Sequence, residues 1–353
     1  MGKYEVSFPT HVTSSLDIEP CAFKHAVGRI FNLRQPDSYD RNLNFGGAFA
    51  EALYLARKNY YINQTSKREA EDSAEDYVDS IFAVEFAKAM SERQKAGKSE
   101  EKIKTPDRLV NLLKLYWRKF PLDKEDLAPF VLNDSFSAEQ ALHLQIAENL
   151  FISVKPDMLA ISEQGFSTIL DEKTVGNLFK ETSWPEYVYM MRPQFLLYTY
   201  VLNSLIEDGK LDIPEITTFE VRRAIIDASV KSTNDFCHPL KFAINKELYN
   251  RYFNSFQKDL ILRRYKLKEF EEKMLILSEA SSLEELTPGQ AINLLERRDY
   301  IENFFPKDLN QCYMYGKPCP LIEHCSVGRK LTFLGFKPSK VNTITKDITF
   351  FNL

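Results

Sequence analysis

Asp157 and the run Asp171-Glu172-Lys173 carry side chains that can hold a divalent cation and handle a proton at one point. Hard carboxylate oxygens suit Mg²⁺ or Mn²⁺, ions that keep several waters and are usually held by one or two carboxylates together with substrate phosphates. Such an ion polarises a phosphate and lowers the pKa of an attacking water, while a lysine beside it steers or deprotonates that water or stabilises developing charge. Phosphodiester cleavage is the chemistry this set of residues fits. The same fragment also suits an ordinary hairpin with solvated ends, so the surrounding elements must decide.

The stretch VKPDMLAISEQGFSTILDEKTV reads as strand, turn, strand. Met158, Leu159 and Ile161 are followed by a polar Glu163-Gln164-Gly165 break, then by Phe166, Ile169 and Leu170. A hairpin of this form brings both carboxylates to one place. Farther on, RPQFLLYTYVLN reads as an apolar helix with Gln194 and Tyr198 one turn apart on a single face. A helix this apolar packs on a sheet, so its polar residues point into a polar site or find partners in the core. Arg192, just before that helix, is a phosphate candidate. Arg222 and Arg223 are adjacent on an expected strand and point to opposite faces, so at most one of them reaches a site.

Of five cysteines, Cys312, Cys319 and Cys325 crowd into NQCYMYGKPCPLIEHC, and Cys21 sits far upstream. The absence of a secretory signal or a long apolar span argues for an intracellular, cytoplasmic protein without membrane contact, where clustered cysteines bind metal more often than they form disulfides. The gaps between them are wider than the short knuckles of structural zinc. Four thiolates drawn from both ends of the chain suit a cubane [4Fe–4S] cluster, with zinc and unligated buried thiols as the alternatives. Cys237 falls in an expected strand and reads as a small core residue.

At 353 residues, 44% hydrophobic and 13% aromatic, the chain has ample material for a core. A net charge of -4 announces no bulk affinity for nucleic acid, so any DNA track must be local. Helices are expected over 14–31, 45–61, 69–97 and 105–119, and strands near 138–146, 150–162, 166–173, 215–227 and 236–244. A long helix over 246–278 interleaves basic residues with aromatics, as either a DNA-binding face or a solvated face over core aromatics. No Walker A pattern, dinucleotide fingerprint or internal repeat is present, so strand unwinding would need another protein.

Taken in order, a Gly-containing helix, Pro156-Asp157, Asp171-x-Lys173 and Gln194-x-x-x-Tyr198 resemble the RecB-like branch of the PD-(D/E)XK nuclease superfamily, which includes AddB nuclease domains, CRISPR adaptation nucleases and many phage exonucleases. The resemblance spans residues 13 to 325. It implies an α/β fold with a restriction-endonuclease-like core, a mixed central sheet flanked by helices. It further implies that Asp157 and Asp171 bind Mg²⁺ or Mn²⁺ with the backbone carbonyl of Glu172, that Lys173 is catalytic, and that Gln194 and Tyr198 orient the site or the DNA. One departure stands out: the family's first helix reads FGxxxHxxL with a metal-binding His, and here Ala50 occupies that place, with Glu51 the nearest replacement. Some members of this branch carry a one-plus-three cysteine arrangement around a [4Fe–4S] cluster, matched here by Cys21, Cys312, Cys319 and Cys325.

These readings combine into one nuclease domain over 1–353. It has a helical insertion at 65–130, catalytic strands and the Gln-Tyr helix at 131–245, and a C-terminal iron–sulfur segment at 246–353 that closes on Cys21. The expected activity is metal-dependent exonuclease action on single-stranded or frayed DNA ends in phage or bacterial recombination, repair or replication, beside a helicase or recombinase. The alternative is a catalytically silent iron–sulfur DNA-binding or assembly module of the same fold.

Overall fold

The computed structural model of the protein describes residues 33–34, 41–95, 97, 103–132, 135–136, 142–147, 150–175, 193–226, 237–258, 293, 296, 313–314, 317–319, 321–327, 330–331, 334 and 337–338. The chain divides into two compact units. One comprises Tyr39–Gln145 with Phe151–Tyr249; the other comprises Met1–Ser38, Ile146–Leu150 and Asn250–Leu353.

The first unit is built on a five-stranded mixed sheet. Its strands, in chain order, are β1 (Leu127–Pro129), β2 (Met158–Ser162), β3 (Ser167–Val175), β4 (Ile216–Ile225) and β5 (Cys237–Ala243), and they lie side by side in the order β5-β4-β3-β2-β1. β3 and β4 are parallel and all other neighbours antiparallel. A parallel pair requires a crossover, which is supplied by the helix α5 (Pro193–Glu207). Just past the end of α5 comes Gly209, whose φ of +70° suits a residue without Cβ. Asn203 then ties the helix to the start of β4, accepting from the Ile216 N–H at 2.8 Å and donating to the Ile216 carbonyl at 3.2 Å.

Sequence explains where β2 begins and ends. The strand expected over 150–162 is two strands, Leu150–Val154 and β2, interrupted by Lys155-Pro156-Asp157. Pro156 has no N–H to offer a ladder, and the interruption puts Asp157 at the mouth of the hairpin rather than inside it. At the other end Gly165, with φ +82°, closes the turn by donating to the Ser162 carbonyl at 2.8 Å.

A helical layer covers one face of this sheet: α1 (Arg41–Arg57) and α4 (Pro106–Lys119) lie on the strands, and α2 (Lys67–Tyr77) and α3 (Ala83–Lys95) belong to the same layer, α2 packing on α1 and α4. α4 shows why they do so. Thr105 caps it by accepting from the Arg108 N–H at 3.3 Å, Pro106 opens it, and Leu109, Leu112, Leu113, Tyr116 and Trp117 recur at the spacing of one helix face, all of them buried. α2 starts with a reciprocal capping box between Ser66 and Glu69. The helices expected over 45–61 and 69–97 are each interrupted by one wide π-helical turn, Lys58–Ile62 and Val78–Phe82. The edge strand β1 lies at the end of the stretch 65–130 expected as a helical insertion, beyond the last helix expected there. It is three residues long and ends in proline, too short to leave a period of its own.

Between helices and sheet lies a buried ionic network. The Arg57 guanidinium donates to both oxygens of Glu172 at 2.8 and 3.0 Å and to Glu125 at 2.7 Å. Arg222 donates to Glu125 at 2.7 Å, Glu220 at 2.7 Å and Asp126 at 2.8 Å, and its guanidinium carbon lies 3.9 Å from the centre of the Phe120 ring. Tyr116 donates to Glu172 and accepts from both arginines at 3.1 Å. Arg57, Arg222, Glu125 and Glu172 are all buried to within 3% side-chain exposure. Of the two adjacent arginines expected to point to opposite faces, Arg222 is thus the one turned into the core and no phosphate contact: all three of its nitrogens donate within the network and one face of its guanidinium lies on Phe120.

The helix expected over 246–278 is described over 246–258. Tyr249, Phe253 and Phe256 in it are buried, so they are core residues and not stacking platforms. The remainder of that helix, the helix expected over 14–31, and Cys21, Cys312 and Arg192 lie outside the described residues. In the second unit, Leu33–Arg34 pairs antiparallel with Lys337–Pro338, and a short helix spans Ile322–Val327. Among the described residues no helix is long and apolar enough to cross a membrane.

Removing one member of a buried, charge-balanced network leaves the others uncompensated. Arg222→Ala is expected to lower unfolding free energy by about 3–5 kcal/mol, read from urea denaturation, whereas a surface phosphate contact would change stability by only a few tenths.

Candidate active site

Consecutive residues on a strand project to opposite faces. On β3, Asp171 and Lys173 therefore face α5, while Glu172 and Thr174 face α1 and α4. The packing agrees on both sides. Phe219, which shares the face of Asp171, packs tilted against Phe195 of α5 with ring centres 4.2 Å apart, and Glu172 meets Arg57 and Tyr116 on the other face. Gly46 of α1 lies so close to β3 that a Cβ there would be 3.3 Å from the Thr174 hydroxyl.

Asp157 enters from the neighbouring strand. The β2–β3 register pairs Met158 with Leu170, so Asp157 falls opposite Asp171, one step beyond the last paired residues. Residues directly opposite each other share a face. The link is also direct, because the backbone N–H of Glu172 donates to Asp157 Oδ2 at 2.6 Å. A strand residue turns its N–H and C=O to the same side, so the Glu172 carbonyl faces Asp157 as well.

Asp171 is fully buried. One carboxylate oxygen, Oδ1, accepts from Lys173 Nζ at 2.7 Å and from Gln194 Nε2 at 3.3 Å. The other, Oδ2, is buried and has no hydrogen-bond partner. Gln194 Nε2 also reaches the Tyr198 hydroxyl at 3.1 Å, and that hydroxyl donates to the Lys155 carbonyl at 2.7 Å, just before Pro156-Asp157. Asp157, Asp171, Lys173, Gln194 and Tyr198 thus form one continuous set, with α5 bracing both the carboxylate on β3 and the loop that carries its partner.

An orphaned carboxylate oxygen in a dry setting is costly unless a cation meets it. Asp171 Oδ2, the Asp157 carboxylate and the Glu172 carbonyl make a hard-oxygen donor set on one side of β3, which fits Mg²⁺ or Mn²⁺. Among the described residues no three His, Cys, Asp or Glu side chains gather to hold a metal. An ion here would rest on two carboxylates and a carbonyl, leaving positions for water and substrate. The Glu172 carboxylate is turned away from this set. Burial alone would raise its pKa, but Arg57 and Tyr116 outweigh that and hold it below the usual carboxylate range. The Tyr116 phenol is pushed well above its usual value by burial.

The remaining candidates are placed as follows. Arg223 is buried on the face of Asp171 and pairs in register with Lys173, one strand away. Glu51 is half-buried on α1, and its charge acts on the Tyr77 phenol, which is pushed up to about 12 chiefly by burial. Ala50, also half-buried, is one helical turn from Gly46 and so on the stripe that approaches β3. Sequence reasoning overlooked Arg57, Tyr116, Glu125 and the Lys155 carbonyl. The available signal was Glu220 and Arg222, opposite charges two apart on one face of an expected strand.

The five-stranded mixed sheet flanked by helices, with an acidic pair and a lysine at the mouth of its hairpin, is a restriction-endonuclease-like α/β fold. The profile of the PD-(D/E)XK nuclease superfamily matches residues 13–274, and the chain belongs to that superfamily. No curated protein sequence matches the chain. Members of this superfamily are usually nucleases and generally use Mg²⁺ or Mn²⁺.

Tyr198→Phe removes the donor that holds the Lys155 carbonyl. A loss of about 1–3 kcal/mol is expected, measured by thermal or urea unfolding.

Proposed function

We propose that the protein is a Mg²⁺- or Mn²⁺-dependent deoxyribonuclease of the RecB-like branch, an exonuclease on single-stranded or frayed DNA ends in phage or bacterial recombination, repair or replication. The observation that carries this reading is the buried, partnerless Oδ2 of Asp171, a residue that the strand register sets opposite Asp157. Asp157, Asp171 and the Glu172 carbonyl would hold the cation. When bound, it polarises the scissile phosphate and eases deprotonation of the attacking water.

The chain's own residues supply the rest. Lys173, about one-third exposed, sits on Asp171 and can donate to a phosphate oxygen or to the water as the nucleophile adds to phosphorus and the ester oxygen departs in line. Gln194 restrains Asp171, and Tyr198 restrains the loop before Asp157. Arg223, on the face of Lys173, is the candidate for a backbone phosphate on the substrate; Arg192 is a second candidate from the sequence.

Cys21, Cys312, Cys319 and Cys325 are proposed to ligate a [4Fe–4S] cluster that staples the two ends of the chain. Two observations support this. Neither Cys319 nor Cys325 takes part in a disulfide, and both are half-buried. The antiparallel pair Leu33–Arg34 with Lys337–Pro338 joins the segment that follows Cys21 to the segment that follows Cys325. Anaerobically purified protein should be brown and lose its colour in Cys21→Ser as fully as in Cys319→Ser; a colourless zinc protein, or a harmless Cys21 change, would contradict the one-plus-three scheme.

The nuclease reading is tested with end-labelled linear single- and double-stranded DNA and a closed circle, in Mg²⁺, Mn²⁺ or EDTA. Metal-dependent loss of linear strands with the circle spared is expected, together with a fall of about 10²- to 10³-fold, the order for losing a principal electrostatic group, in folded Asp171→Ala and Lys173→Ala. Salt-sensitive DNA binding without product under any metal would favour the silent binding module, with Ala50 in place of the metal-binding His as its cause.

A further inference from the structure

We propose that Arg57 and Tyr116, acting through the Glu172 side chain, are positioning residues that hold the Glu172 backbone carbonyl in place as a metal ligand. The proposal rests on the metal-dependent reading above and deepens it.

Glu172 is tied through both its backbone and its side chain. Its backbone N–H is bonded to Asp157 at 2.6 Å, and its carboxylate is gripped by the two-pronged Arg57 guanidinium at 2.8 and 3.0 Å and by the Tyr116 hydroxyl. The residues on either side, Asp171 and Lys173, are the ones whose chemistry depends on the strand holding still. Beyond residue 170, β2 no longer pairs with β3, so on that side the ladder stops short of the very residue whose carbonyl is needed. The side-chain grip replaces the missing strand. Arg57 stands at the last residue of α1, immediately before the wide turn Lys58–Ile62, and Tyr116 in the last turn of α4. Both helices thereby bear on a single position of β3.

Stability alone does not account for this arrangement. A buried ion pair is often matched or bettered by apolar residues of similar volume, so its presence is weak grounds for a stabilising role. Partners behind a ligand typically set ligand orientation and shift metal affinity by 10- to 100-fold. The arrangement of the charges also allows a clean test. If Arg57 and Glu172 are removed together, Glu125 keeps Arg222 as its partner, and the network loses one charge of each sign.

The experiment measures Mn²⁺ affinity by calorimetry on the full chain, with unfolding followed in parallel, for wild type, Asp171→Asn, the double variant Arg57→Met/Glu172→Leu, and Arg57→Lys. Asp171→Asn should abolish binding. The double variant should melt near or above wild type yet bind Mn²⁺ at least about tenfold more weakly. Arg57→Lys keeps the charge but loses the fork, and should weaken binding in the same direction. In cleavage, kcat should fall while KM for DNA holds. If the double variant does not fold, Arg57→Lys decides alone. Folded variants that bind Mn²⁺ as wild type does would overturn the proposal, leaving the pair a structural contact only. Wild type that binds Mn²⁺ through Asp171 but cuts no DNA would sink the nuclease reading while the affinities still judge the positioning role; wild type that binds no Mn²⁺ would sink both.

Discussion

Three consecutive residues on one strand cannot all face the same way. Because β3 alternates, Asp171 and Lys173 fall on the α5 side and Glu172 on the side of α1 and α4. Each neighbouring element answers one of these two demands. On one side α5 must bring a hydrogen-bonding residue to a buried carboxylate, which Gln194 does, and must hold the loop of Asp157, which Tyr198 does through the Lys155 carbonyl. On the other side a charge has been placed inside the core. A buried carboxylate is tolerable only with a partner, so Arg57 and Tyr116 must be there, and with them Glu125, Arg222 and the rest of the network.

The two faces meet at the backbone of residue 172. Its amide reaches Asp157 while its side chain reaches the helical layer, so the geometry of the acidic pair and the packing of the helices are linked through a single residue. The local charge pattern follows the same logic. Arg57 and Arg222 hold their protons more strongly than usual despite burial, because Glu125 and the other anions beside them outweigh the loss of water. On the opposite face, Asp171 Oδ2 is among the buried polar atoms without a hydrogen-bond partner.

The legible part of the sequence was the part governed by short periods and residue chemistry. Two carboxylates flanking a Gly-broken apolar pair of runs located the hairpin; the apolar run with Gln194 and Tyr198 one turn apart located α5; and the strands at 216–225 and 237–243 came within a residue or two. What escaped depends on long-range contact. Arg57 and Glu172 are 115 positions apart, and nothing periodic connects them. Arg222 looked like a phosphate ligand because an arginine on a strand carries no mark of which face is buried until the helices over it are known. β1 is too short and too near a proline to register as a strand, and the π-helical turns at 58–62 and 78–82 sit in sequences that read as uninterrupted helix. Ala50 was visible as a departure at once, whereas its placement one turn from the glycine that touches β3 required the structure.

Anomalous diffraction from crystals soaked in Mn²⁺ tests the central claim most directly. The account predicts a peak bounded by Asp157, Asp171 Oδ2 and the Glu172 carbonyl, absent in Asp171→Asn crystals. A well-diffracting wild-type crystal with no manganese between those three groups, or with manganese only elsewhere, would contradict it.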